Sequence, residues 1–106
     1  MLQVGTILHG TYKIESYLAS GGFGNTYLAK NIEFDETYAI KEFFVKGVCQ
    51  RDGNSTTISV SNADNINSFE QQREKFKKEA RRLRSIGNPH IVKVYDLFEE
   101  NGTAYY

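Results

Sequence analysis

The sequence predicts an α+β domain: a twisted five-stranded antiparallel sheet with one helix packed on a face. Three observations predict it. Short runs with period-two alternation and β-branched or aromatic content recur between turn residues. One segment alone, residues 68–86, carries convincing helical spacing. The order is three strands, a possible hairpin, one helix and two strands, which does not alternate as a doubly wound fold would. The 106 residues suit a single domain, since domains most often run to roughly 100–150 residues.

Residues 12–18 alternate and read as the first strand. Ala19-Ser20-Gly21-Gly22-Phe23-Gly24 follows as a turn or loop, and residues 25–30 and 37–44 read as the second and third strands. Residues 45–67 read as an insertion, a hairpin with a mobile tail: Asp52-Gly53-Asn54 is a hairpin-type turn signal and residues 56–60 a short strand. The helix over 68–86 opens on Ser68-x-x-Gln71, the capping-box pattern. It presents Phe69, Phe76, Ala80, Leu83 and Ile86 on one face and stops at Gly87 and Pro89. Residues 91–98 read as a strand, Asn101-Gly102 as a tight turn, and residues 103–106 as the start of a further strand.

Composition narrows the function. Thirteen basic and thirteen acidic side chains cancel, which disfavours a general polyanion binder. The basic run Lys75-Phe76-Lys77-Lys78 and Arg81-Arg82-Leu83-Arg84 reads as a solvated helix face, with Glu74 to Lys78 a favourable i,i+4 pair, so neither nucleic acid nor membrane contact is expected. Cys49 stands alone, and His9 and His90 are far apart, so no disulfide and no zinc-type cluster is expected. No apolar run approaches the roughly 20 residues of a membrane span, and residues 1–5 have no signal-peptide character. A cytoplasmic protein is the expectation.

Three features could carry chemistry. Gly21, Gly22 and Gly24 lie between two strands, where bare backbone could approach a phosphate and point N–H groups at it; a plain hairpin turn is the alternative. Lys41 shares a strand face with Ala39 and Phe43, so its ammonium wants a counter-charge or an anionic ligand, unless its stem lies along the surface with its head in water. Glu79, three residues after Phe76 and four before Leu83, leans toward the packed helix face. Lys41 is its expected partner, and a local pair with Arg82 or Lys75 is the alternative.

Glycine loop, strand lysine and helix glutamate in this order resemble the small lobe of protein kinases. Residues 18–27 resemble the kinase glycine-rich loop, Tyr38-Ala39-Ile40-Lys41 the Val-Ala-Ile-Lys signature, and Glu79-Ala80-x-x-Leu83 with Asn88-Pro89-His90-Ile91-Val92 the αC helix and its follow-on. Lys41-Glu42-Phe43-Phe44 is most similar to bacterial serine/threonine kinases of the eukaryotic type. The resemblance covers residues 12–106 and implies that the chain is one partial domain, residues 1–106.

It further implies ATP as ligand. Gly21 and Gly24 match loop glycines, with Ala19 in place of the first. Backbone around Ser20, Gly22 and Phe23 would cover the phosphates, and Lys41 would hold the α- and β-phosphates. Glu79 would position Lys41, and Leu18, Thr26 and Ala39 would line the adenine pocket. Mg²⁺ would be held from outside the chain, because no His-Arg-Asp or Asp-Phe-Gly occurs in these residues. By resemblance, the C-terminal kinase lobe and a protein substrate are the expected partners, and the 106 residues alone are expected to be inactive. The reading from another class is a pseudokinase or interaction module, with a homodimer or strand exchange of the isolated lobe. A third is an unrelated α+β domain, favoured if Lys41 and Glu79 lie on opposite sides of the sheet.

Overall fold

The structure, a computed structural model, describes residues 1–51, 56–60, 63–90 and 93–106. Its strands are β1 (Ile7–Leu8), β2 (Tyr12–Gly21), β3 (Gly24–Asn31), β4 (Thr37–Phe43), β5 (Cys49–Arg51), β6 (Ile58–Val60), β7 (Phe98–Glu100) and β8 (Thr103–Tyr105). One long helix, α1 (Ile66–Ser85), follows a single 3₁₀ turn at Ala63–Asn65. Six strands form one antiparallel sheet in the order β1-β2-β3-β4-β8-β7, and β5 and β6 pair as a separate hairpin.

The side-chain pattern explains the layers. Strand β3 buries Asn25, Tyr27 and Ala29 and leaves the residues between them half-buried, the period-two signature of a sheet with one covered face. Tyr27 and Ala29 pack with Ile14, Ile40, Phe98 and Tyr105, and the N-terminal segment closes this core with Leu2 and Leu8. The Leu2 N–H donates to the Tyr27 hydroxyl at 2.9 Å. A second core holds Phe43, Val45, Cys49, Ile58 and Phe69. Here α1 meets the sheet: Phe43 lies 5.3 Å from Phe69 and 5.4 Å from Phe76, ring centre to ring centre. Burying a ring such as Phe69 contributes about 1.5–3 kcal/mol. Lys77 on α1 bridges to Glu99 on β7 at 3.1 Å.

The Asn101-Gly102 turn forms as expected, with φ of 56° and 77°, and joins Glu100 directly to Thr103. Two successive positive φ values define the type I′ hairpin, and Asn-Gly tolerates them best.

Several expectations are corrected. Strand β1 adds a sixth strand that the polar residues around it do not advertise. Ser68 is not the helix cap: α1 begins at Ile66, Asn65 caps it without a side-chain bond, and Ser68 sits inside the first turn. The first turn is set by the preceding 3₁₀ turn rather than by a capping box, and the expected loop over 63–65 is that turn. The helix ends at Ser85, where Ile86 turns extended, one residue ahead of Gly87. Glu74 bonds Lys77 at 3.2 Å rather than Lys78. Of the expected strand over 91–98, the described residues 93–97 lie outside any strand and only Phe98 lies within one, as the first residue of β7 (Phe98–Glu100), where β8 runs opposite. In this stretch side chains meet the backbone at two points: Arg84 donates to the Tyr95 carbonyl at 2.8 Å, and the Leu97 N–H donates to the Asp96 carboxylate at 2.9 Å. The insertion is a hairpin, but its second strand covers 58–60 rather than 56–60. Asp52-Gly53-Asn54, Ser61-Asn62 and Ile91-Val92 lie outside the described residues.

Candidate functional site

The β2–β3 hairpin closes tightly: Gly21 pairs with Gly24 across a two-residue turn of Gly22 and Phe23. Its tip is tied to the end of β4, where the Phe44 N–H donates to the Phe23 carbonyl at 3.1 Å. The Lys46 ammonium donates to the Ser20 hydroxyl at 3.0 Å. The glycines divide into two kinds. A Cβ on Gly21 or Gly22 would meet nothing within 4 Å, so both present bare backbone to open space. A Cβ on Gly24 would sit 2.7 Å from the Glu42 carbonyl oxygen and 3.9 Å from Lys41 Cε. Gly24 is therefore required by the close approach of β3 to the strand that carries Lys41.

Cross-strand partners share a face, and the register places Ala19, Thr26 and Lys41 in one row, with Leu28 and Ala39 in the next. Leu18 falls at the β-bulge between Tyr17 and Ala19 and is exposed, and it lines neither of the cavities below. Thr26, Ala39 and Lys41 wall one cavity of about 350 Å³, together with Leu83, Val94 and Tyr95. Phe23, Lys41, Lys75, Phe76, Glu79 and Tyr106 wall a second of about 400 Å³. Lys41 is common to both.

Lys41 exchanges two backbone hydrogen bonds with Tyr106, at 2.7 and 3.0 Å, and its ammonium stands 5.8 Å over the Tyr106 ring. It forms no ion pair among the described residues. The expected Lys41–Glu79 pair is not made. Glu79 instead takes a two-pronged bond from Arg82, at 2.7 and 3.2 Å. The Arg82 hydrogen bond is also the leading cause that holds the Glu79 carboxyl below its ordinary value; burial opposes it, and Lys41 adds the smallest pull. Arg82 wins because it lies one helical turn away with a forked donor, whereas Lys41 must reach across the cavity. Lys41 and Glu79 nonetheless face the same space, so the arrangement that would favour an unrelated fold is absent.

The sequence reading missed Glu42. Its side chain has 0% exposure, and five hydrogen bonds converge on it. Asn25 donates at 3.1 Å, Tyr27 at 3.0 Å, Tyr105 at 2.7 Å, and Arg51 through two nitrogens at 3.2 and 2.5 Å. Burial, then the Glu42 charge, pushes the Tyr27 phenol up to about 12, and the same causes raise Tyr105 further. Burial works against the Arg51 charge, but the bond and attraction to Glu42 outweigh it and hold the guanidinium above its ordinary value. A signal was present: alternation puts Glu42 opposite Lys41, on the face of Ile40, where a carboxylate needs a buried cation.

No family model matches the chain. The chain is 31% identical over 102 residues to the serine/threonine-protein kinase PrkC of Bacillus subtilis, covering 96% of this chain and 13% of that protein. It is 33% identical over 99 residues to the probable serine/threonine-protein kinase pknA2 of Bifidobacterium longum (91% and 11%). It is 30% identical over 105 residues to the probable serine/threonine-protein kinase YbdM of Bacillus subtilis (99% and 34%). The solved structure described as the apo form of PpkA-294 superposes with a TM-score of 0.92 at 30% identity, covering 99% of this chain and 37% of that one. The chain thus spans 11% to 37% of the lengths of these proteins. Motif order, strand order and these likenesses agree: over nearly its whole length the chain is homologous to bacterial serine/threonine protein kinases, and its fold is that of a kinase small lobe.

Proposed function

We propose that this chain is the nucleotide-clamping half of a serine/threonine protein kinase, which in the complete protein transfers the γ-phosphate of ATP to protein Ser or Thr. One observation carries the reading. The Lys41 ammonium, free of any carboxylate partner among the described residues, stands beside a glycine hairpin and faces a cavity shared with Glu79. An unpaired ammonium beside bare backbone N–H groups suits phosphate oxygens. In this reading Lys41 holds the α- and β-phosphates, Glu79 positions it, and backbone from Ala19 to Gly24 covers them. Thr26 and Ala39, which wall the first cavity, take the adenine, and Leu18, outside both cavities, would reach it only by closing over the bound ring. In this reading Mg²⁺ would be held from the C-terminal lobe, the proposed partner across the site. The protein would work in the cytoplasm.

The test is Lys41→Met in the complete protein. Phosphate transfer should fall to a small residue of the wild-type rate while the far-ultraviolet circular dichroism is unchanged. Wild-type turnover would overturn the assignment.

One observation favours a second reading, a pseudokinase or interaction module without catalysis: Glu79 is engaged by Arg82 rather than by Lys41. Absence of ATP-dependent transfer in the complete wild-type protein would select it.

A further inference from the structure

We infer that Glu42 and Arg51 are positioning residues for Lys41, and that the β5–β6 hairpin is thereby part of the nucleotide site's framework. The inference rests on the reading of Lys41 as the phosphate-holding lysine. Strand β8 touches β4 through one paired position, Glu42 with Tyr105, continued by the two backbone bonds between Lys41 and Tyr106. So short a pairing needs side-chain support. The Glu42 carboxylate supplies it, by accepting from Tyr105 of β8, Asn25 and Tyr27 of β3, and Arg51 of β5. Three strands of the sheet and the hairpin thus converge on one group.

A carboxylate buried in that dry position needs a cation beside it. Arg51, with 5% side-chain exposure, is the cation that bonds it. The hairpin is itself fixed to the sheet, since the Ile58 N–H donates to the Asn101 carbonyl at 2.8 Å. The consequence runs outward in order. Arg51 keeps Glu42 in place, Glu42 holds Tyr105, and Tyr105 sets Tyr106. The Tyr106 ring lies under the Lys41 ammonium and against Phe76 of α1, at 4.7 Å. Loss of the guanidinium should therefore loosen Lys41 without touching it.

The test compares backbone hydrogen exchange, without nucleotide, in the full chain and two variants. In Arg51→Met, exchange over residues 39–43 and 103–106 should rise by about tenfold or more relative to residues 26–30, a local opening rather than a global one. In the double variant Glu42→Gln/Arg51→Met the selective rise should largely vanish, because no unpaired charge is left. If Arg51→Met does not fold, Arg51→Lys, which keeps the charge and loses the fork, should show the same selectivity at smaller size. An equal rise in every strand, or no rise, overturns the inference and leaves the pair a merely structural one. In the complete protein the variant should raise KM for ATP more than it lowers kcat; lost kcat at unchanged KM also overturns it. A complete wild-type protein without ATP-dependent transfer sinks the proposed function instead, and the exchange result still decides whether the clamp exists.

Discussion

The sharpest single test of the glycine hairpin is Gly24→Ala set beside Gly21→Ala and Gly22→Ala. A methyl on Gly24 would lie 2.7 Å from the Glu42 carbonyl oxygen. Ordinary carbon–oxygen contacts sit at about 3.3 Å, so β3 and β4 must part by roughly 0.6 Å. The obstructing atom is strand backbone beside the last β3–β4 pair, Gly24 with Phe43, and it cannot rotate away. Overpacking of this kind costs about 1–3 kcal/mol. That is a large part of the roughly 5–15 kcal/mol that holds a domain together. Gly21 and Gly22 have open space and no left-handed φ, so alanine there should be neutral or stabilise by about 0.4–1 kcal/mol through a stiffer unfolded chain. Urea unfolding followed by circular dichroism reads all three. With an m-value of about 1–3 kcal/mol per M, the Gly24→Ala midpoint should fall by roughly 1 M, and the other two should hold or rise. Identical midpoints for Gly24→Ala and Gly22→Ala would refute the division of the glycines. If the division holds, a loss of ATP affinity in Gly22→Ala reports on the ligand, while the same loss in Gly24→Ala reports on the fold.

Two further outcomes are expected. Phe69→Ala should cost about 3–5 kcal/mol in thermal unfolding, because Phe69 is the ring by which α1 enters the second core; exposed Glu70→Ala should change stability by less than about 0.5 kcal/mol. Stability should also fall at alkaline pH. Tyr27, raised to about 12 by burial and the Glu42 charge, and Tyr12, raised to about 12 by burial and the bond to Asp96, deprotonate more readily in the unfolded chain, at their ordinary value of 10.0. The folded state then binds more protons, so its advantage is complete below pH 10 and shrinks as pH rises toward 12. Tyr27→Phe should make that fall shallower, and a flat profile across the window would refute the linkage.

The sheet and helix were legible because their signals are local. Alternation in residues 25–30 and 37–43 is a consequence of one covered face, and Asn101-Gly102 encodes its turn in two residues. The failures concern partners. Residues 93–98 have strand-like composition, but a strand exists only where another strand runs beside it, and of these residues β8 reaches Phe98 alone. Ser68 and Gln71 have capping-box spacing, but the chain enters α1 through a 3₁₀ turn that places the first helical residue two positions earlier. Strand β1 exists because Ile7 and Leu8 find Lys13 and Tyr12 opposite them.

The same distinction governs the site. The register gathers Ala19, Thr26 and Lys41 into one row because period and strand order suffice to place them. Which cation Glu79 takes is a competition, and spacing names the competitors without ranking them. Arg82 is three residues away on the same helix, and its fork needs no tertiary movement; Lys41 offers one donor from another layer. Both Glu79 and Arg82 are substantially exposed, with side-chain exposures of 46% and 63%, so water screens their pair and little holds it against a rival. Glu42 is the opposite case. Its five donors come from residues 25, 27, 51 and 105, spread across the chain, and burial leaves it no alternative partner. The contact that the sequence makes conspicuous is therefore the one that can exchange, and the contact that it hides is the one fixed in place. A ligand anion arriving at Lys41 would find a lysine whose strand is already locked and a Glu79 still able to change partners, so nucleotide binding should act on α1 and leave β4 where it is.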